Sequence, residues 1–260
     1  MIRKIVFKKM MFLVFLFFNG IVLGLPAFAQ QEMSIEKLTE LIDKDSNNAQ
    51  LYIKRGNAYF EKNEFFDAVE DFTLAIELDA GADEAYFGRG LALARQGLID
   101  DGIADLSKFI SRNPQSSLAY TKRGVRYMWK QDFANAEKDL SKAVKLDPGN
   151  AEAHDDLGVI YARRHEYQTA IEHFSATIKL DSSYQKGYHN LAMAQYLSGQ
   201  DLNALVNVNK AIALNPNHKD AVLLKSEIFK ALGRIEEAAA LKEEAAFLPE
   251  TNWSEGVAVQ

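Results

Sequence analysis

Small residues recur along this chain every 34 positions, and that spacing limits its architecture more than any other feature. Gly56, Gly90, Gly124 and Gly158 stand in one phase, and the next two steps fall on Ala192 and Ser226. A second small set follows twelve positions on, at Ala68, Gly102, Ala136, Ala170, Ala204 and Ala238. Four further on are Phe72, Leu106, Leu140, Phe174, Val208 and Lys242, and three beyond those Ala75, Phe109, Ala143, Thr177, Ala211 and Ala245. Pro114, Pro148 and Pro216 share a phase, with Pro249 one residue off it. A fixed period of this length marks a repeat array, in which each unit buries its apolar face against the next. Six units without insertion occupy 49–82, 83–116, 117–150, 151–184, 185–218 and 219–252.

Within a unit, apolar residues recur at three- and four-residue steps, as in Ala153, Leu157, Ile160 and Tyr161, then Ala170, Ile171, Phe174, Thr177 and Ile178. That is the period of one helix face, so each unit reads as two helices. Asn63, Gly97, Gly199 and Gly233 share a phase between the helices, where a left-handed C-cap suits Gly or Asn. The prolines follow the second helix, which they cannot continue. Small residues early in each helix let two backbones approach, and the larger apolar residues fill the space between neighbouring pairs.

The pattern resembles the tetratricopeptide repeat family. The fourth unit carries it most fully in His154, Leu157, Gly158, Tyr161, Ala170 and Phe174, and the third in Tyr120, Gly124, Tyr127, Ala136, Leu140 and Pro148. The resemblance implies an all-α fold, a right-handed superhelical solenoid of about six tandem helix-turn-helix repeats. The sequence departs from the family where Arg55, Arg89 and Arg123 replace the usual Leu before Gly. It departs again in the last unit, where Ser226 and Lys242 take packing positions, as suits a terminal repeat facing water. Residues 30–48 read as an N-terminal cap and linker, with Ile35, Leu38, Leu41 and Ile42 on one face of a lone helix. Residues 253–260 read as a loose tail.

The first 29 residues read as an address rather than as structure. A basic start, MIRKIVFKK, precedes sixteen uncharged residues and then Pro26-Ala27-Phe28-Ala29. Ala27 and Ala29 fit a secretory cleavage site, with the cut after Ala29. An uncleaved inner-membrane anchor is the rival reading, with an apolar run slightly short for a comfortable span. Either reading exports the repeats, because the basic flank stays cytoplasmic. The expected location is periplasmic or secreted, or anchored facing the periplasm. Zero Cys fits an oxidising compartment and excludes disulfides, thiolate metal sites and a cysteine nucleophile.

Composition narrows function further. The net charge is −6; without residues 1–29 the 30 Lys+Arg become 26 against 36 Asp+Glu, giving −10. A general nucleic-acid binder needs a basic surface, so none is expected. No phosphate loop, dinucleotide loop, nucleophile elbow or zincin motif is present. His165-Glu166 begins a zincin pattern, but Thr169 stands where the second His would be. The five histidines lack trusted ligand spacing, so no metal, cofactor or enzymatic activity is expected. Asp67, Glu70, Asp71, Glu236, Glu237, Glu243 and Glu244 read as charges kept in water on second helices.

The resemblance implies a concave face lined by the first helices, which receives a peptide or partner segment. Reading equivalent positions across units gives Phe87, Leu91, Val125, Met128, Val159, Met193 and Tyr196 as an apolar trough. Trp129 lies in it, with Arg95, Arg163 and Lys122 expected nearby, and Asn57, Phe60 and His189 occupy matching positions. Aromatic and Arg residues are preferred interface anchors. The trough is expected to dock an extended or helical segment bearing an apolar anchor and an acidic group; packing between adjacent helices is the other use for the same residues. Some family members clamp a C-terminal carboxylate with Lys, Asn and Arg. Asn57 and Lys122 match that clamp, but Ile53, Gly88 and Leu118 do not, so such a ligand is not expected. The reading is a non-catalytic scaffold or adaptor of the cell envelope, binding a protein or peptide on its concave face. A carrier of a polysaccharide or peptidoglycan strand is the alternative. A membrane enters only through the leading segment, and the oligomeric state stays open.

Overall fold

A computed structural model describes residues 33–249. The leading segment read as an address and the tail 253–260 lie outside the described residues. Among those described there are thirteen α-helices and no strand. Helix α1 spans Ile35–Lys44. The first helices of successive units are α2 Ala49–Glu61, α4 Asp83–Arg95, α6 Ser117–Trp129, α8 Ala151–Arg163, α10 Gln185–Leu197 and α12 Lys219–Ala231. The second helices are α3 Phe65–Leu78, α5 Ile99–Arg112, α7 Phe133–Leu146, α9 Tyr167–Leu180, α11 Asp201–Leu214 and α13 Ile235–Ala246. The molecule is an all-helical repeat solenoid. No described helix is long and apolar enough to cross a membrane.

The turn inside each unit is built the same way. Residues 63, 97, 131, 165, 199 and 233 all have positive φ, between 60° and 87°. The next amide reaches back five residues, as from Glu64 to the Tyr59 carbonyl at 2.9 Å and from Gln200 to the Gln195 carbonyl at 2.8 Å. This closes the first helix with a Schellman-type cap. Gly and Asn account for four of the six positions; Gln131 and His165 fill the others at φ 61° and 62°. The entry of several helices is capped by a side chain: Ser116 accepts from the Ala119 amide and Asn150 from the Ala153 amide.

Packing follows the small-residue phases. Ala68, Ala136, Ala170 and Ala204 are fully buried, as are Phe72, Leu106, Leu140 and Val208 between neighbouring hairpins. Burying each large side chain contributes about 1.5–3 kcal/mol. The tightest crossing is in the second unit, where both positions are Gly. A methyl on Gly102 would lie 2.5 Å from the Gly90 carbonyl oxygen, so no side chain fits between α4 and α5. In the last unit Ser226 is buried and donates to the Ala238 carbonyl at 2.7 Å, while Lys242 is exposed.

Candidate partner-binding surface

Contacts between helices define an inner face. Each helix packs on its chain neighbours, and the first helices of adjacent units also touch: α2 with α4, α4 with α6, and so on to α10 with α12. Second helices of adjacent units make no such contact among the described residues. First helices therefore line the tighter, inner side of the stack, where a partner segment would meet several units at once.

On the N-terminal half, a polar ladder that the sequence reading missed joins the units. Arg55 donates to both carboxylate oxygens of Asp71 at 2.8 and 2.7 Å, and to the Thr39 hydroxyl of α1 at 3.0 Å. Arg89 repeats this with Asp105 and Thr73, and Arg123 with Asp139 and Ser107. The hydroxyls donate in turn to carbonyls one turn back, Thr39 to Ile35, Thr73 to Val69 and Ser107 to Ile103. Tyr52 and Tyr59, Tyr86, and Tyr120 and Tyr127 flank the three guanidinium groups. Asp71 is only 2% exposed, which corrects its reading as a solvated charge; its neighbours Asp67 and Glu70 are exposed. The signal was present: Asp71, Asp105 and Asp139 keep the 34-residue period and follow each Arg by sixteen. The ladder stops where Leu157 and His173 take the next two positions.

In the middle of the stack the expected neighbours of Trp129 are engaged elsewhere. Arg95 stacks on Phe65 at 5.4 Å and Arg163 on Phe133 at 4.7 Å, each bracing its first helix against the second helix of the preceding unit. Lys122 is held by both oxygens of Glu152 at 2.7 and 2.8 Å. The cation over the half-buried Trp129 is Arg126 of the same helix, 4.6 Å from the ring centre. Phe87 meets Phe109 and Phe60 meets Phe65, with ring centres 5.1 and 5.4 Å apart. Met128 packs against the core of units three and four, and Val159 against that of units four and five. Leu91 and Val125 are half-buried and Asn57 is exposed. The structure thus spreads these residues over inter-helix packing as well as the inner surface.

Between α8 and α10 lies a buried polar knot. Asp155 is fully buried and accepts from Asn190 at 2.9 Å, from Lys186 at 3.0 Å and from the Tyr184 hydroxyl at 3.4 Å. Beside it, Asp156 has one buried carboxylate oxygen without a hydrogen-bond partner. Burial, then the charge of Asp155, push the Asp156 carboxyl up to about 7.

The last two first helices enclose an open cleft of about 340 Å³. Three residues singled out in the sequence, His189, Met193 and Tyr196, meet there on α10. They face Asp220, Leu223, Leu224 and Glu227 of α12. His189 is 7% exposed, its ring centre 5.2 Å from that of His218, so it forms the floor rather than a protruding contact. Burial and then His218 push the His189 imidazole down to about 4, leaving the floor uncharged near neutral pH. In the α12 half, Leu223 and Glu227 stand at the compared positions of the last unit while Asp220 and Leu224 do not; reading that unit as a water-facing terminus left all four out of the trough.

Three family models match: TPR repeat over residues 56–97, and tetratricopeptide repeat over 84–116 and 121–184. Residues 56–116 and 121–184 are therefore tetratricopeptide repeats. Its fold is similar to that of YrrB, described as a TPR protein with an unusual peptide-binding site. That likeness has 23% identity and TM-score 0.58, covering 73% of this chain and 97% of YrrB. PilF of Pseudomonas aeruginosa superposes with TM-score 0.69 at 15% identity, over 78% of this chain and 91% of PilF. PilW, a type IV pilus biogenesis factor, gives 0.68 at 18%, over 75% and 91%. At these identities the likeness concerns the fold alone. No curated protein sequence matches the chain.

Proposed function

We propose that the chain is a non-catalytic scaffold of the cell envelope, which binds a protein or peptide segment on the face lined by its first helices. Tetratricopeptide-repeat proteins are generally interaction scaffolds with protein or peptide partners. The observation that carries the reading here is the open cleft between α10 and α12 on the inner face, lined mainly by apolar side chains with His189, Asp220 and Glu227 among them. The envelope part rests on the basic, apolar and Ala-x-Ala pattern of residues 1–29.

The test is affinity purification of the full chain from its native envelope, with the N-terminus read by mass spectrometry. A Met193→Ser/Leu223→Ser variant strips the cleft of two half-buried apolar groups. Loss of a defined protein partner from the variant, with helical content kept, supports the reading. Equal recovery by both chains would overturn the cleft as the site. Recovery of cell-wall fragments in place of protein would favour the polymer carrier.

A further inference from the structure

The fourth unit departs from its neighbours at the joint between its two helices. Where the third unit carries Tyr120, Arg123 and Asp139, the fourth carries His154, Leu157 and His173. The Arg–Asp bond that ties the two helices of each earlier unit is replaced by a pair of imidazoles. His154 on α8 and His173 on α9 meet with their Nδ1 atoms 3.1 Å apart and their ring centres 5.3 Å apart. They are 19 residues apart in the chain, so it is the hairpin that brings them together.

Other contacts orient both rings. His154 Nε2 lies 3.3 Å from the Pro148 carbonyl oxygen, which can only accept, so Nε2 carries the proton and Nδ1 keeps its lone pair. Metal-ligating histidines are held in this way, with the other ring N–H donated to a backbone carbonyl. The His173 ring stacks on Tyr161, whose hydroxyl donates to Glu137 at 3.0 Å, and Arg164 pairs with Glu137 at 2.7 Å. Two nitrogens each about 2.0–2.1 Å from one tetrahedral zinc ion stand about 3.3 Å apart, close to the spacing of this pair. Both histidines are half-buried, so water reaches them.

We propose that His154 and His173 bind a divalent transition-metal ion of the zinc and copper class through their Nδ1 atoms, joining α8 to α9 where the ladder has lapsed. The proton that His173 shares with His154 through Nδ1 is then carried on His173 Nε2. Among the described residues no group of three or more His, Asp or Glu gathers as a ligand set, so water completes the coordination and the site is an open one. Imidazole nitrogens suit zinc and copper, whereas magnesium and calcium take oxygen ligands. The two rings converge only in the folded hairpin, so the ion stabilises it by mass action. The inference stands apart from the α10–α12 cleft and from the scaffold reading.

Zinc chloride and magnesium chloride, added to the full chain near neutral pH, test it by titration calorimetry and thermal unfolding. The expected result is zinc binding with a raised melting temperature, and neither effect with magnesium. His154→Tyr/His173→Asn installs the residue types that the fifth unit carries in phase, Tyr188 and Asn207, and circular dichroism checks that its helices are kept. This variant is expected to bind zinc at least about tenfold more weakly, since loss of even an outer partner of a ligand costs that much. His165→Gln, which installs the residue type of the Gln131 turn, is expected to bind zinc as the wild type does. Electron paramagnetic resonance of the wild-type chain loaded with copper(II) is expected to show two imidazole nitrogens, a readout that needs no variant. Zinc affinity unchanged in the double variant, no zinc binding by the wild type, or copper(II) without nitrogen ligands overturns the inference.

Discussion

Asp156 and His189 sit on successive first helices, α8 and α10, and burial shifts them in opposite directions. The Asp156 carboxyl is pushed from its ordinary 3.8 up to about 7, so between those values the folded chain holds a proton that the unfolded chain has lost. Its contribution is therefore favourable at low pH and declines as pH rises towards 7. His189 is pushed from 6.5 down to about 4, so the unfolded chain binds a proton that the folded ring refuses. Its contribution is full above pH 6.5 and is lost as pH falls towards 4. Across pH 4–6.5 the two oppose each other and flatten the stability profile. Asp156→Asn removes one side of this balance. It is expected to raise stability at pH 8 by about 1–2 kcal/mol, since the ionised, unpartnered oxygen is gone. The same variant is expected to show a steeper decline than the wild type below pH 6. Urea unfolding at pH 8 and pH 5 measures both, and a variant with the wild-type pH profile would mean that Asp156 ionises freely.

At the scale of elements, the Arg ladder shows how charge enters a helical stack without destabilising it. Each Arg makes two bonds to a buried Asp and a third to a hydroxyl on the helix before its own unit, so one side chain ties three helices together. Arg123 and Asp139 expose 17% and 5% of their side chains, which makes the pair partly desolvated. Arg123→Leu leaves a buried carboxylate alone and is expected to cost about 3 kcal/mol. Arg123→Leu/Asp139→Leu is expected to restore most of that loss, because a well-packed apolar pair often replaces a buried ion pair without penalty. The next unit of the chain itself carries Leu157 at the Arg position. Thermal unfolding of the two variants checks this, and a double variant as unstable as the single one would show that the ladder is required in itself.

For the molecule as a whole, the 34-residue period makes units exchangeable in register. Removing residues 83–116 deletes α4 and α5 and brings Thr73 opposite Arg123, the partner type that Ser107 supplies in the intact chain. Nearest-neighbour stacking is expected to leave a folded, shorter solenoid with unchanged helicity per residue. Its urea m-value should fall with the surface no longer buried. The α10–α12 cleft lies three units away and is expected to keep its ligand affinity. Circular dichroism and urea titration read the first two outcomes; a collapsed or aggregated product would point to coupling beyond adjacent units.

The period alone determined the helical hairpins, their order and the residues between them, because a unit that cannot bury its apolar face alone must stack on its neighbour. It also set His189, Met193 and Tyr196 on one first helix, while the expectation that first helices face inward came from the resemblance. Side-chain pairing was another matter. Arg95 and Arg163 chose Phe65 and Phe133 over Trp129, Arg126 took the indole, and Asp71 went inward to Arg55. Those outcomes depend on distances between helices and on which cation lacks a nearer partner, quantities that linear spacing does not carry. The left-handed turns at Gln131 and His165 show the same division. Neither residue type announces that conformation, and the surrounding stack imposes it because all six hairpins must turn alike.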